Sequence, residues 1–184
     1  MLDVGCGKGF STLAYSMLAN QVAGEFTMTG LDYHANFMER CGLNLEKYSS
    51  HLLNGDVKFR KHDFLNEPVE APHNLVTFGF EISLDILHSR QSAFAENGHI
   101  LVPLSEVDSE GNLLSLEQDF CLLKYANNSF DTVTKIMKTA FSRRIDKEAE
   151  LNEQIDQDFF VNSVRSNKLN ALEKRVSELE TQFK

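Results

Sequence analysis

The sequence has little of several features that would each define a class of protein. No apolar run approaches the ~20 residues that a membrane-spanning helix needs. The first 25 residues contain neither the basic segment nor the small-residue cleavage site of a signal peptide. Only three cysteines occur, Cys6, Cys41 and Cys121, which argues against a disulfide framework or a Cys-rich zinc site. This cysteine content predicts that the protein works in a reducing, cytoplasmic compartment.

Positive charge is also scarce. The 184 residues include 18 Lys and Arg against 27 Asp and Glu, for a net charge of −9. Such a surface repels phosphate backbones and anionic lipid headgroups, so we expect neither nucleic acid nor a membrane as a partner. The densest basic stretch, residues 58–62, is interpreted as solvated strand and turn residues.

Two catalytic signatures are missing. No G-x-S-x-G motif occurs, which disfavours a Ser/His/Asp hydrolase. The six histidines are dispersed, with no H-x-H or H-E-x-x-H spacing, so no metal site is predicted.

Apolar periodicity alternates between strand-like and helix-like segments. Strands are predicted at 1–5, 25–32, 57–63, 75–82 and 98–104, the last after an Asn-Gly turn, and helices at 11–23, 34–53 and 83–95. This alternation is typical of parallel βαβ units. Residues 115–126 and 130–141, joined by the polar turn 127–129, read as a hairpin. The predicted fold is therefore α/β, with a mostly parallel sheet and an antiparallel hairpin at one edge.

The composition becomes charged and helical towards the end of the chain. We predict a domain over residues 1–148 and a helical tail over 149–184. Five apolar residues of the tail follow the 3-4-3-4 spacing of a coiled-coil seam: Leu169, Leu172, Val176, Leu179 and Phe183. Residues 169–183 thus permit self-association without requiring it.

A glycine-rich turn follows the first predicted strand, with the pattern Asp3-x-Gly5-x-Gly7-x-Gly9. Glycines there let a ligand approach the backbone closely, although a tight turn with no ligand has the same pattern. The Gly-Lys-Ser/Thr ending of a phosphate-binding P-loop is missing. Cys6, inside the turn, is either a reactive thiol or, as we favour, a small filler.

Two further carboxylates follow the next two predicted strands. Asp32 can accept hydrogen bonds from both hydroxyls of a ribose, or it can cap the helix that starts near His34. Asp63 can accept from the amino group of an adenine, or it can be a solvated loop residue. A dinucleotide is a possible ligand for such a site. The position of Asp3, however, suits an ammonium group, and S-adenosylmethionine carries ribose, adenine and an amino group but no phosphate.

At this point the sequence resembles the class I methyltransferases, and more closely the protein-L-isoaspartate O-methyltransferase family. LDVGCGKGF (2–10) resembles the family's first motif and GLDYHANF (30–37) its GIDH motif. APHNLVTFGF (71–80) is similar to APYDAIHVGA, and FAENGHILVPLS (94–105) to LKPGGRLILPVG. The likeness extends over about residues 1–148.

This resemblance implies a Rossmann-like sandwich that binds S-adenosylmethionine, to which the residues of the tail add a C-terminal helix. The methionine end of the cofactor would lie along the turn, and the nucleoside along the next two strand ends. The implied residues are Asp3, Gly5, Gly7, Gly9, Asp32, Tyr33, His62 and Asp63. The implied reaction is protein repair, in which isoaspartyl residues of damaged proteins are methylated on the carboxyl group.

The chain also departs from the family pattern. The family has a segment before its first strand that covers the cofactor, whereas this sequence begins at the strand, so we expect a truncated or divergent isoform with an exposed apolar sheet face. Glu81 and Asp85 lie where an anionic substrate should bind, and Ile145 and Asn74 replace a threonine and an aspartate of the family. The alternative is a non-catalytic family member that acts as a protein-interaction module.

Overall fold

The computed structural model of the chain describes residues 1–52, 54–105 and 118–139. Within them lie the strands β1 (Leu2–Val4), β2 (Phe26–Asp32), β3 (Gly55–Lys61), β4 (His73–Phe78), β5 (Phe94–Leu104), β6 (Gln118–Ala126) and β7 (Ser129–Thr139). The helices are α1 (Phe10–Val22), α2 (Asn36–Tyr48) and α3 (Leu84–Ser89), with short 3-10 helices at Ser49–His51 and Gln91–Ala93. The predicted tail, 149–184, lies outside the described residues, as does the start of the predicted hairpin.

The described strands form one sheet in the order β3-β2-β1-β4-β5-β6-β7. Neighbours from β3 through β5 pair in parallel, whereas β5–β6 and β6–β7 pair antiparallel. The predicted α/β class with an antiparallel edge is therefore confirmed. The chain moves from β1 to β2 and β3 on one side and then to β4 and β5 on the other. This reversal makes the carboxyl ends of β1 and β4 the switch point of the sheet, the position at which open α/β sheets have a ligand-binding crevice.

The two faces of the sheet differ because side chains alternate along each strand. Leu2 and Val4 point to the face that forms the apolar core, together with Val76, Ile100 and Val102, all at most 2% exposed. Asp3 points to the opposite face and meets α1, which buries Thr12, Leu13, Ser16 and Ala19. The polar site is thus built on the face opposite the main core.

Several predicted elements have different bounds in the structure, and three of the differences have a local cause. The strand predicted at 75–82 ends at Phe78, because its partner β1 ends at Val4; the Gly79 N–H makes the last bond of this pairing, to Val4 O at 2.8 Å. The helix predicted at 83–95 is broken into α3 and the second 3-10 helix. The predicted Asn-Gly turn lies inside β5, where Asn97 has a φ of 62°. The pairing with β4 shifts register at this point, between His73–Phe94 and Leu75–His99, so the turn signal forms a bulge within the strand.

The edge strand β7 is exposed along most of its length. Two register shifts in its pairing with β6 mark β-bulges, and the exposed apolar residues Val133, Ile136 and Met137 lie at or beside them. Bulges hinder pairing with a further strand, so they protect an exposed edge. No helix within the described ranges is long and apolar enough to cross a membrane.

Candidate functional site

The glycine turn links β1 to α1 and is fixed to β2 by backbone hydrogen bonds. The N–H groups of Gly5 and Cys6 both donate to Leu31 O, at 2.8 and 3.0 Å. The Gly9 N–H closes the turn by donating to Cys6 O at 2.8 Å. Gly5, Gly7 and Gly9 all have positive φ, at 75°, 52° and 82°. At these three positions the backbone is in the left-handed region, which residues with a side chain adopt only at a cost.

Two of these glycines serve different purposes. A Cβ at Gly5 would lie 2.5 Å from Cδ1 of Phe80, so glycine there allows the chain after β4 to pack on the turn. A Cβ at Gly7 would meet nothing within 4 Å. The middle of the turn therefore faces open space and leaves its backbone accessible to a ligand.

Asp32 is 7% exposed and connects the end of β2 to the turn. Its Oδ2 accepts from the Gly7 N–H at 2.8 Å, and its Oδ1 accepts from the His34 N–H at 2.9 Å. The alternative role as a helix cap is not what the structure shows, because the N-cap of α2 is Ala35 and makes no side-chain bond. Each carboxylate oxygen has a second acceptor site, so Asp32 can also bind ligand hydroxyls.

Asp3 is 1% exposed, and its partners in the structure are three hydroxyl groups. Oδ2 accepts from Ser11 Oγ at 2.7 Å and from Thr12 Oγ1 at 2.6 Å, while Oδ1 accepts from Thr77 Oγ1 at 2.7 Å. The sequence indicated Asp3 but gave no sign of Thr77, which lies 74 residues away. Contact between Asp3 and a ligand ammonium group stays a prediction.

The remaining predicted site residues follow β2 and β3. Tyr33 is 45% exposed and packs edge-on against the His34 ring. The His62 N–H extends the pairing of β3 by donating to Asp32 O at 2.9 Å, and its Nδ1 lies 3.1 Å from Glu67 Oε2. These residues therefore border the edge at which Asp32 lies.

Asp63 has a structural role in the loop after β3. Its Oδ1 accepts from the Leu65 N–H at 3.1 Å and its Oδ2 from Asn66 Nδ2 at 2.6 Å. These bonds cap the turn that follows, which is the common behaviour of a loop aspartate. The adenine contact predicted for Asp63 stays a prediction.

Two residues of α2 support the turn and were missed in the sequence. Cys41 Sγ donates to Gly7 O at 3.2 Å, and Asn44 Nδ2 donates to Lys8 O at 2.9 Å. Burial, followed by the neighbouring Cys41 and the carboxylates of Asp32 and Asp3, raises the pKa of the Cys6 thiol. Cys6 is thereby kept protonated, which favours the filler interpretation over a reactive thiol.

The half of the edge beyond β4 carries a different set of groups. Glu81 Oε2 accepts from Gln118 Nε2 at 2.9 Å and from Ser105 Oγ at 3.4 Å, which ties the chain after β4 to the start of β6. Gln118 is only 2% exposed. Asp85 lies in the first turn of α3, whose N-cap is Ser83. A carboxylate is therefore held by two hydrogen bonds in the chain just after β4, on the side of the sheet edge away from the glycine turn.

Metal-binding groups are not assembled in the part of the chain that the structure describes: no three His, Cys, Asp or Glu side chains there could hold an ion together.

Solved structures include proteins whose fold is similar to that of this chain. The protein-L-isoaspartate O-methyltransferase (beta-aspartate methyltransferase) of Plasmodium falciparum, crystallised with S-adenosyl-L-homocysteine, superposes with a TM-score of 0.53 at 18% identity. The match covers 78% of this chain and 65% of that protein. The chain therefore shares the fold of that methyltransferase.

Other matches to methyltransferases are weaker. Coclaurine N-methyltransferase, with N-methylheliamine and S-adenosylhomocysteine, gives a TM-score of 0.44 at 17% identity over 56% of this chain and 30% of that one. A methyltransferase of Thiobacillus denitrificans gives 0.40 at 18% identity over 57% and 40%. These scores are too low to support an argument. No family model and no curated protein matches the chain.

Proposed function

We propose that this chain binds S-adenosylmethionine at the glycine turn and belongs to a methyltransferase that acts on isoaspartyl carboxyl groups. The observation that supports cofactor binding is the hydrogen bond from the Gly7 N–H to Asp32 Oδ2. It brings an open backbone turn and a carboxylate with unused acceptor sites together at the reversal point of the sheet. A nucleoside attached to an amino acid needs both kinds of group.

The residues fit this cofactor in their chemistry. Gly7 leaves the space that a methionine chain needs, and Asp32 has acceptor sites for ribose hydroxyls. Tyr33 and His62 would border the ribose and the adenine, and Asp63 would receive the adenine amino group. When bound, the cofactor supplies an activated methyl group. The chain's own contribution is to hold and orient, because a carboxylate acceptor is already nucleophilic and needs no strong base.

The isoaspartyl acceptor is supported by the sequence resemblance over residues 1–148 and by the likeness in fold to the Plasmodium enzyme. Since the chain spans 65% of that enzyme's length, the substrate is a proposal about the whole activity. Isoaspartyl-containing proteins are the partners that this proposal implies, in the cytoplasm.

A second candidate function is favoured by Glu81. Gln118 and Ser105 hold this carboxylate just after β4, the region where the family resemblance would put the acceptor. A fixed charge of the same sign as an isoaspartyl carboxylate opposes binding of that substrate. The second candidate is therefore a non-catalytic relative that retains the cofactor site and acts by binding other proteins.

Calorimetric titration with S-adenosylhomocysteine tests the cofactor site. We expect saturable binding by the wild-type chain and loss of binding in Asp32→Ala, with circular dichroism confirming that both are folded. Asp56→Ala is the matched control, because Asp56 is exposed at the opposite end of β3. Failure of the folded wild-type chain to bind would contradict the proposal.

Methylation of an isoaspartyl peptide then separates the two candidates. Transfer of a labelled methyl group to the isoaspartyl peptide, but not to the same peptide with normal aspartate, supports the enzyme. Cofactor binding without transfer to either peptide supports the non-catalytic relative.

A further inference from the structure

A buried hydroxyl group on β4 holds the carboxylate beside the glycine turn. Thr77 is 2% exposed, and its Oγ1 donates to Asp3 Oδ1 at 2.7 Å. In the parallel pairing of β1 with β4, Thr77 is also the residue opposite Asp3. One side chain therefore connects the two strands whose carboxyl ends form the crevice.

The other oxygen of Asp3 connects the two ends of the turn. Asp3 precedes the turn, whereas Ser11 and Thr12, which donate to Oδ2, lie in the first turn of α1. The N-cap residue of α1, Gly9, makes no side-chain cap bond. A negative charge at this end of a helix is favourable. The Asp3 carboxylate thereby sets how β1 and α1 are spaced around the turn.

The chain after β4 approaches the same turn. A Cβ at Gly79 would lie 2.4 Å from Gly5 O, so the two backbones are in close contact there. A change in how β4 meets β1 therefore reaches the turn through Gly79 as well as through Asp3.

We propose that Thr77 is a positioning residue for the cofactor turn: its hydroxyl fixes the Asp3 carboxylate, which in turn fixes the path of residues 5–9. This inference rests on the proposed function only where its test measures binding of S-adenosylhomocysteine. The geometry of the turn itself is measurable without any ligand.

Thr77→Val removes the hydroxyl and keeps the shape of the side chain. Asp3 Oδ1 would then lack its threonine donor inside the protein, where an unmet acceptor is costly. We expect the Kd for S-adenosylhomocysteine to rise about tenfold, as for the loss of one ordinary hydrogen bond. We also expect faster amide exchange at Gly5, Cys6, Gly7 and Gly9, whose N–H groups are all bonded in the wild type.

Three variants separate positioning from a general loss of stability. Thr77→Ser keeps a hydroxyl and should restore both readouts. Ser16→Ala removes another fully buried hydroxyl, one that donates to Thr12 O at 2.7 Å and does not contact Asp3. Ile100→Val destabilises the opposite core face. Ser16→Ala and Ile100→Val should both keep the wild-type amide exchange rates in the turn and the wild-type Kd for S-adenosylhomocysteine.

The outcomes are distinct. Faster amide exchange in the turn of Thr77→Val supports the positioning role, provided that Thr77→Ser returns to the wild-type rates and Ile100→Val does not show the same increase. Wild-type exchange and affinity in Thr77→Val would overturn it, as would equal effects in Ile100→Val. If the wild-type chain binds no S-adenosylhomocysteine, the proposed function fails, and the exchange data alone decide the role of Thr77.

Discussion

The two ends of the sheet hold their polar groups in different ways. At the end formed by β1, β2 and β3, Asp3 and Asp32 are buried and accept hydrogen bonds from hydroxyl and backbone groups. At the end formed by β6 and β7, the Asp119 side chain is 14% exposed and pairs with Lys135 and Lys138, whose side chains are more than half exposed. Buried networks are costly to disturb, whereas ion pairs that involve exposed lysines contribute less.

The difference bears on the proposed cofactor site as well as on stability. A ligand site needs groups that keep their positions when water is displaced, and buried hydrogen bonds to rigid strands supply that. The exposed strand β7 carries bulges and lysines, which suit a surface that must not pair further. The following changes test this contrast, beginning with the largest expected effect.

Asp3→Ala should destabilise the fold most. It removes the acceptor of three hydroxyl groups, two of which, on Thr12 and Thr77, belong to fully or almost fully buried residues. We expect a loss of about 3 kcal/mol in the free energy of unfolding, measured by urea denaturation. The exposed Asp56→Ala should change it by less than about 0.5 kcal/mol. Equal effects of the two substitutions would show that the buried network is not stabilising.

Gly79→Ala should destabilise more than Gly7→Ala, although only Gly7 has a positive φ. The added methyl group at Gly79 would lie 2.4 Å from Gly5 O, so backbone must move, at about 2 kcal/mol. At Gly7 there is open space and only the left-handed conformation opposes alanine, at about 1 kcal/mol.

Thermal unfolding of the two variants shows which of Gly79→Ala and Gly7→Ala is less stable. Gly42→Ala is the control: it lies within α2, has open space around it and should stabilise the chain by up to about 1 kcal/mol. The reverse order of Gly79 and Gly7 would mean that backbone strain outweighs the close contact.

Lowering the pH should reduce the contribution that Asp119 makes to the stability of the fold. Hydrogen bonds from Lys135 and then Lys138 lower the pKa of this carboxyl below its ordinary value. Its contribution is therefore complete above the unfolded-state pKa and is lost as the pH falls through the lower folded-state pKa. We expect Asp119→Asn to be slightly less stable than wild type at pH 7 and equal to it in strong acid. A stability difference that does not change with pH would contradict this assignment.

Val133→Thr should have the smallest effect. Val133 is 55% exposed at a bulge, and threonine keeps its β-branched shape. We expect the free energy of unfolding to change by less than about 0.5 kcal/mol. A larger loss would show that this surface is covered in solution.

Much of the architecture was determined by sequence alone. The order of strands and helices, the parallel sheet and the antiparallel hairpin follow from local apolar periodicity, because period and turn residues act over short distances. The same local signals placed the glycine turn and Asp32 at strand ends, and Asp32 proved to be bonded to Gly7.

Only the tertiary structure decided how these parts meet. The end of β4 at Phe78 depends on contact with β1, and the partner of Asp3 on β4 is 74 residues away in sequence. Cys41 and Asn44 support the turn from a helix whose periodicity marks only its apolar side. Periodicity reports which face of an element is buried. Which groups meet across the core depends on strand order and register, and these follow from the packing of the whole domain.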